Sequence, residues 1–105
     1  MIRKFITATA QGWKSYLKHP APGNALIKQA NPEMTDDLLA FGVKNMRDYG
    51  LVTGGDAKSQ GIMSMNDGRW KQTFDFMVAA GLTSADTDYR KAYTLDFVKD
   101  IKVMP

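Results

Sequence analysis

The beginning of the chain carries apolar residues at spacings of three and four positions. Such spacing is typical of one face of an amphipathic helix. The residue before a proline is disfavoured in the helical region, so His19-Pro20 should end this first helix. The predicted apolar stripe consists of Ile2, Phe5, Ile6, Thr9, Trp13, Tyr16 and Leu17.

A short second helix is predicted between two prolines. The segment Ala21-Pro22-Gly23-Asn24 has the composition of a turn, and a helix can begin directly after it. Asn31-Pro32 should end this helix in the same way as the first. The residues expected in it include Ala25, Leu26, Ile27 and Ala30.

The third predicted helix, about residues 36–49, has clear signals at both ends. Thr35 is a good N-cap, and the two aspartates that follow it place negative charge at the positive end of the helix dipole. Gly50 supplies a left-handed position after the last turn, so Leu51 should fold back onto the helix. The inward stripe is expected to contain Leu39, Val43 and Met46.

A fourth helix is predicted with the same kind of termini. Asn66 is the expected N-cap, and Gly81-Leu82 repeats the glycine-leucine ending of the third helix. The two helices share only the motif at their C-terminal ends. No fixed period relates their sequences, so they are not a repeat. The predicted stripe consists of Trp70, Phe74, Met77 and Val78.

The connection 52–65 is rich in glycine and polar residues and is long for a link between two helices. Long loops often carry function, so this is the first segment in which contacts are expected. We expect it to be irregular in structure. Its apolar residues Ile62, Met63 and Met65 should enter the core.

In the tail 85–105, Thr94 should cap one last short helix. The chain is therefore predicted as one all-α domain, residues 1–105, with four to five short amphipathic helices. Its 105 residues are 44% hydrophobic, which is enough for one soluble domain with a core. The absence of cysteine excludes disulfides and cysteine-ligated metals.

The net charge of +3 arises from the N-terminal third of the chain. Residues 1–32 contain five basic residues and no acidic one, whereas the rest contains nine basic and eleven acidic residues. A basic amphipathic start with Trp13 occurs in membrane-surface helices, nucleic-acid arms and targeting segments. Five basic residues are sparse for a binding patch, so a solvated helix face is favoured and no nucleic-acid partner is expected.

No run of apolar residues approaches the roughly 18–20 that a membrane span needs, and no secretory signal is recognisable. A chain expressed as written would stay in the cytoplasm. The segment 54–61 contains glycine, lysine and serine, but Ala57 precedes Lys58 where a phosphate-binding loop needs glycine. An ordinary surface loop is therefore expected there.

The sequence offers no complete metal-binding or catalytic set. Asp86-Thr87-Asp88 begins like a calcium loop, but Arg90 and Lys91 stand where a ligand and a glycine are needed. His19 is the only histidine, which is too few for zinc without cysteine and suits the end of a helix. We therefore predict no enzyme activity, no cofactor and no metal.

The aromatic residues lie mostly at helical spacing among aliphatic neighbours, which is more typical of a core than of a stacking platform. Seven methionines suit an adaptable groove for a partner, or, more simply, a core that packs against something larger. The aromatic residues weighed in this way are Trp13, Tyr16, Tyr49, Trp70, Phe74 and Phe76.

Several short motifs follow one another along the chain between Arg3 and Val98. They are Arg3-Lys4-Phe5, Ala8-Thr9, Gly12-Trp13, Asn31-Pro32-Glu33-Met34-Thr35, Gly54-Gly55-Asp56-Ala57, Gly61-Ile62, Arg69-Trp70-Lys71 and Ala92-Tyr93-Thr94. Together they resemble the ABC-transporter solute-binding proteins of the nitrate, sulfonate, taurine and thiamine-pyrimidine-precursor type. The resemblance covers nearly all of the chain, although Met63 stands where the family pattern has a small residue.

Members of that family have two lobes, each with a mixed sheet, and hold their solute in the cleft between them. This sequence has no alternating strand pattern, so the resemblance implies a C-terminal helical fragment of the two-lobed α/β periplasmic-binding-protein fold. It further implies a small organic or anionic solute and an ABC-transporter permease as partners, and a periplasmic or extracytoplasmic location. No ligand-binding residue is carried over, because the family's ligand residues lie mainly in the upstream lobes.

The function that the resemblance implies is lobe packing within a substrate-binding protein, and the isolated chain should self-associate to cover its apolar faces. The alternative is a stand-alone helical interaction module that binds an acidic partner or an anionic surface. Its basic residues would be Arg3, Lys4, Lys14 and Lys18. An enzyme of the thiamine-pyrimidine branch is disfavoured, because its catalytic half would have to lie elsewhere.

Overall fold

The computed structural model describes residues 1–105 and contains five α-helices, one 3-10 helix and no strand. The all-helical prediction is confirmed. None of the helices combines the length and the apolar character that crossing a bilayer requires. The α-helices are α1 (Ile2–Lys18), α2 (Pro20–Ala30), α3 (Asp36–Asp48), α4 (Ala57–Gln60) and α5 (Asp67–Ala79), and the 3-10 helix is Tyr89–Ala92.

Helices α1 and α2 follow each other with a single residue between them. His19 leaves the helical region (φ −137°, ψ 79°), as expected before a proline. Helix α2 begins at Pro20, so the predicted turn at residues 21–24 is wrong. Proline is well suited to the first turn of a helix because the backbone N–H that it lacks would have no partner there. The predicted end of α2 at Asn31 is confirmed.

Helix α3 has the predicted caps at both ends. The Thr35 hydroxyl accepts a hydrogen bond from the backbone N–H of Leu38 at 3.2 Å. At the other end Gly50 adopts φ +59°, and the N–H of Leu51 donates to the Met46 carbonyl at 3.1 Å. This is the Schellman geometry, in which a left-handed glycine lets the chain reverse onto the last turn.

Helix α5 has the same kind of side-chain N-cap and the same glycine-leucine ending as α3. The Asn66 side chain accepts from the backbone N–H of Arg69 at 2.8 Å. Gly81 adopts φ +74°, and the N–H of Leu82 donates to the Met77 carbonyl at 2.9 Å. The two predicted glycine-leucine endings are therefore confirmed.

Two predictions about the irregular segments are wrong. The connection 52–65 contains a one-turn helix, α4, which forms because its backbone carbonyls accept bonds locally, as when the N–H of Gly61 donates to Ala57 at 3.0 Å. In the tail, the helical turn comes earlier than expected and is capped by Asp88, whose side chain accepts from the Arg90 N–H at 3.3 Å. Thr94 caps only a series of turns and no helix.

The interior of the chain is small. Its radius of gyration is 16.6 Å, whereas a compact domain of this length would have about 13 Å. Its accessible surface is 7787 Å², whereas a compact protein of 11.7 kDa exposes about 5,900 Å². Seven residues are buried, namely Ala10, Leu17, Leu39, Val43, Ala57, Gly61 and Ile62.

Several apolar positions predicted to face inward are exposed. The stripe of α1 is buried at Leu17, but Ile2 and Phe5 at its start are exposed. Helix α3 buries its predicted side and also presents Leu38 and Phe41 to solvent. Helix α5 buries none of its residues fully. The helices thus carry more apolar surface than the chain itself covers.

Three polar ties hold distant parts of the chain together. The Arg47 guanidinium on α3 donates through Nε at 3.1 Å, and also through Nη2, to the carbonyl of Leu17 at the end of α1. The N–H of Ile62 donates to the carbonyl of Val103 at 2.8 Å. At the start of α1, Arg3 donates to the carbonyl of Asp96 at 3.2 Å.

The two glycine-leucine endings provide a matched pair of mutations. Alanine at either Gly50 or Gly81 meets a left-handed backbone, which costs roughly 1–2 kcal/mol. At Gly50 the new Cβ would also lie 3.0 Å from the Cα of Gly54, whereas at Gly81 it would meet nothing within 4 Å. We expect Gly50→Ala to lower the free energy of unfolding clearly more than Gly81→Ala in urea titrations. Equal losses would show that the Gly50–Gly54 contact is unimportant.

Candidate functional site

A cavity of about 510 Å³ lies between α1, the end of α3, the connection and the start of α5. Half of its twelve lining residues are hydrophobic. Two of its walls are aromatic, formed by Trp13 and Tyr49, and a polar wall carries Asp56 and Arg69. Seven of the twelve lining residues belong to the connection 52–65, the segment in which contacts are first expected.

The indole of Trp13 packs against a second aromatic ring. Trp13 and Tyr16 pack edge to face, with ring centroids 5.9 Å apart and planes at 87°. The Tyr16 hydroxyl donates to the side-chain oxygen of Asn24 on α2 at 2.6 Å. This bond fixes Tyr16, and through it Trp13, although 38% of the Trp13 surface remains exposed.

The polar wall is a hydrogen-bonded network of three side chains. One carboxylate oxygen of Asp56 accepts from the Asn66 amide at 3.0 Å and from Nε of Arg69 at 3.1 Å. Both members of the ion pair are partly exposed, so the pair stabilises the fold by about 1 kcal/mol at most. Its main consequence is that the wall offers hydrogen-bonding groups without a net charge.

The cavity-lining residue Met63 directly follows a deeply buried residue. Ile62 is 2% exposed, which confirms the prediction that it enters the core. Met65 is half-buried, but Met63 is 39% exposed and lines the cavity, so the prediction for Met63 is wrong. Met63 adopts φ +66°, where a side chain clashes with its own backbone, and this geometry turns it away from the core.

A second, largely apolar groove of about 400 Å³ adjoins the cavity. It lies between α1, α2 and α3 and is lined by Thr9, Gly12, Trp13, Tyr16, Ile27 and Met46. Trp13 lines both spaces and therefore separates them.

Stacked aromatic rings attach the tail to α5. Trp70 and Tyr93 lie parallel, with centroids 4.5 Å apart and planes within 4°. Phe74 stacks on Tyr89 at 4.9 Å. The Tyr93 hydroxyl also donates a short hydrogen bond to Asp67. Because this bond requires the neutral phenol, it raises the pKa of Tyr93 to about 12.

The prediction that aromatic side chains form the core holds for only some of them. Tyr16, Trp70 and Phe74 are half-buried. Tyr49, which directly follows α3, is 76% exposed, and Phe76 on α5 is 70% exposed.

Other segments singled out by the sequence have ordinary structural roles. Lys58 and Ser59 lie on the short helix α4, where the Ser59 hydroxyl donates to the backbone of Asp56 at 3.4 Å. Asp86 accepts a hydrogen bond from the Ser84 hydroxyl. His19 is exposed at the junction of α1 and α2. No group of three or more histidine or acidic side chains is placed to hold a metal ion.

The sequence did not identify Trp13 and Tyr49 as cavity walls. The helical stripe placed Trp13 in the core, and Tyr49 was weighed with the other aromatic residues and assigned to the core as well. The available signal was the pair Gly54-Gly55 directly after that helix, since glycines permit the close backbone approach from which the cavity is built. A Cβ at Gly54 would lie 2.7 Å from the carbonyl oxygen of Gly50.

Comparison with known proteins gives one informative similarity. The riboflavin-binding protein RibY of Chloroflexus aurantiacus is 30% identical over 99 residues, which is 93% of this chain. The chain spans 28% of the length of that relative. No protein-family profile matches the sequence, and no solved structure matches it.

The tie between Tyr93 and Asp67 predicts a pH dependence at the alkaline end. The pKa of Tyr93 is raised from 10.0 to about 12, so its contribution to stability is full below pH 10 and is lost as the pH rises toward 12. Tyr93→Phe should abolish this loss, whereas Tyr49→Phe, at an exposed tyrosine, should retain it. Urea titrations across this range, followed by tryptophan fluorescence, measure the effect. An unchanged loss in Tyr93→Phe would contradict the assignment.

Proposed function

We propose that this chain is the C-terminal helical part of an ABC-transporter substrate-binding protein, and that it packs against the lobes of that protein and takes no part in catalysis. The observation that carries the proposal is the large area that the chain leaves exposed, which includes many large hydrophobic side chains. The accessible area exceeds that of a compact protein of equal mass by roughly 1,900 Å². An excess of this size is comparable to the area that one partner buries in a large permanent interface.

The exposed side chains support the same proposal. Fifteen large hydrophobic residues are exposed, among them Leu38 and Phe41, which are neighbours on the outer face of α3. Soluble monomers seldom leave extended apolar patches uncovered. A helical layer that covers a larger body would have apolar residues on both sides, as α3 does.

The similarity to the riboflavin-binding protein supports the proposal in a second way. The chain aligns over almost its whole length with about a quarter of a larger protein that binds a small molecule. The motif order between Arg3 and Val98 resembles solute-binding proteins throughout the same range. Riboflavin is therefore the first solute to test, followed by nitrate, sulfonates, taurine and thiamine precursors.

The stand-alone interaction module is less well supported. It needs a free basic surface on α1, but Arg3 donates to the carbonyl of Asp96 and lies 3.8 Å from the Asp100 carboxylate. One of its four basic residues is thus already engaged by the tail.

The proposal predicts a longer native protein. An antibody raised against this chain should detect, in fractionated source cells, a band much larger than 11.7 kDa in the extracytoplasmic fraction. The captured protein should then show a raised melting temperature with at least one of the candidate solutes. A band at 11.7 kDa in the cytosol would contradict the proposal and favour the stand-alone module.

The isolated chain should self-associate through its uncovered faces. Burial of a large apolar side chain contributes about 1.5–3 kcal/mol, so Leu38→Gln with Phe41→Gln should weaken association by about tenfold or more. Ala40→Gln is the control, because Ala40 lies about 200° around α3 from Leu38. Sedimentation equilibrium measures the association constant of the wild type, of the double variant and of the control. A wild-type chain that stays a compact monomer at high concentration would contradict the proposal.

A further inference from the structure

We propose that the cavity between Trp13 and Tyr49 binds an uncharged, planar heteroaromatic solute, with Asp56 and Arg69 forming hydrogen bonds to its edge. The inference rests on the proposed function and deepens it. It assigns solute-contacting residues to this chain and narrows the solute class. The resemblance to solute-binding proteins identified no ligand-binding residue in this chain.

The size and composition of the cavity fit a small organic ligand. Ligand sites are typically about 300–1,000 Å³ and combine apolar walls with a few polar groups. This cavity measures about 510 Å³ and has both kinds of wall. Aromatic side chains offer flat faces on which a planar ring system can stack. Trp13 is already held by Tyr16, so the ligand would meet one wall that is fixed in advance.

The charge of the polar wall separates two classes of solute. Nitrate, taurine and sulfonates carry charged groups that require an unpaired cation or a helix terminus. Here Arg69 is paired with Asp56, and Asn66 bonds the same carboxylate oxygen. Asn66 also caps the start of α5, because its side chain accepts from the backbone N–H of Arg69. The wall still has unused donor and acceptor positions on both side chains. It suits a ligand rich in amide or ring-nitrogen groups that has no formal charge.

The backbone at the cavity carries strain of the kind found at functional sites. Met63 is the single non-glycine residue with positive φ in the chain, and it lines the cavity. Such a conformation costs about 1–3 kcal/mol and persists only where the surroundings impose it. Its neighbour Ile62 is buried and bonded to Val103, which holds the backbone on one side of Met63. The result is a thioether at the ligand space, where sulfur contacts with aromatic rings are favourable.

The test uses the native-length protein with riboflavin as probe, followed by quenching of flavin fluorescence. Trp13→Ala and Tyr49→Ala should each weaken binding at least tenfold. The matched controls are Trp70→Ala, at the other tryptophan, and Phe76→Ala, at another highly exposed ring, and both should stay within twofold of wild type. Circular dichroism establishes that each variant folds, and Tyr49 is exposed enough for its replacement to leave the fold intact.

A second readout addresses the charge of the wall. Riboflavin should bind better than its phosphate ester, because the paired wall offers no free cation. Asp56→Asn should release Arg69 and shift the preference toward the phosphate ester by about fivefold or more. A residue with a purely structural role would weaken both ligands equally.

The outcomes separate this inference from the proposed function. Riboflavin binding that survives both Trp13→Ala and Tyr49→Ala would overturn the cavity assignment and leave the proposed function standing. If taurine or nitrate stabilises the protein and riboflavin does not bind, the proposed solute class is wrong, and the proposed function still stands. A short cytosolic protein that binds none of these solutes would overturn both.

Discussion

The burial of Ile62 is the constraint on which the middle of this molecule depends. Its side chain is nearly inaccessible, and its backbone N–H is bonded to the tail at Val103. A backbone donor beside a buried side chain needs a partner within the protein, because water cannot reach it. The tail therefore has to return to the connection. That return holds the backbone between α4 and Met63 in place, and Met63 lines the cavity.

Elsewhere the chain has few such long-range constraints, and local chemistry holds the elements. Helices α3 and α5 are capped by side chains at their starts and by left-handed glycines at their ends. These devices define where a helix begins and ends but do not bury its faces. The stabilisation that normally comes from burial is missing over much of the surface, and this supports the proposal that the chain is one layer of a larger body.

The sequence predicted those features that depend on neighbouring residues. The N-caps at Thr35 and Asn66 and both glycine-leucine endings were correct, because the partners in each bond lie within a few residues. The prediction failed at Pro20, where two prolines and a glycine indicated a turn although a proline is favourable in the first turn of a helix. It also failed for Ile2 and Phe5, which lie in the predicted stripe of α1 and are exposed, because hydrophobic periodicity indicates that a helix face is covered and cannot indicate by what.

The same reasoning explains why the candidate site was only half predicted. The connection was expected to carry contacts because of its length and its glycines. Its aromatic partner Trp13, however, is about forty residues away on α1, and nothing local distinguishes a ring that lines a cavity from one that fills a core. In the structure Trp13 does both, since it packs against Tyr16 on one side and borders open space on the other. A single ring in this position links the two sides, because a ligand of the proposed kind that stacked on Trp13 would also affect the packing of α1 against α2.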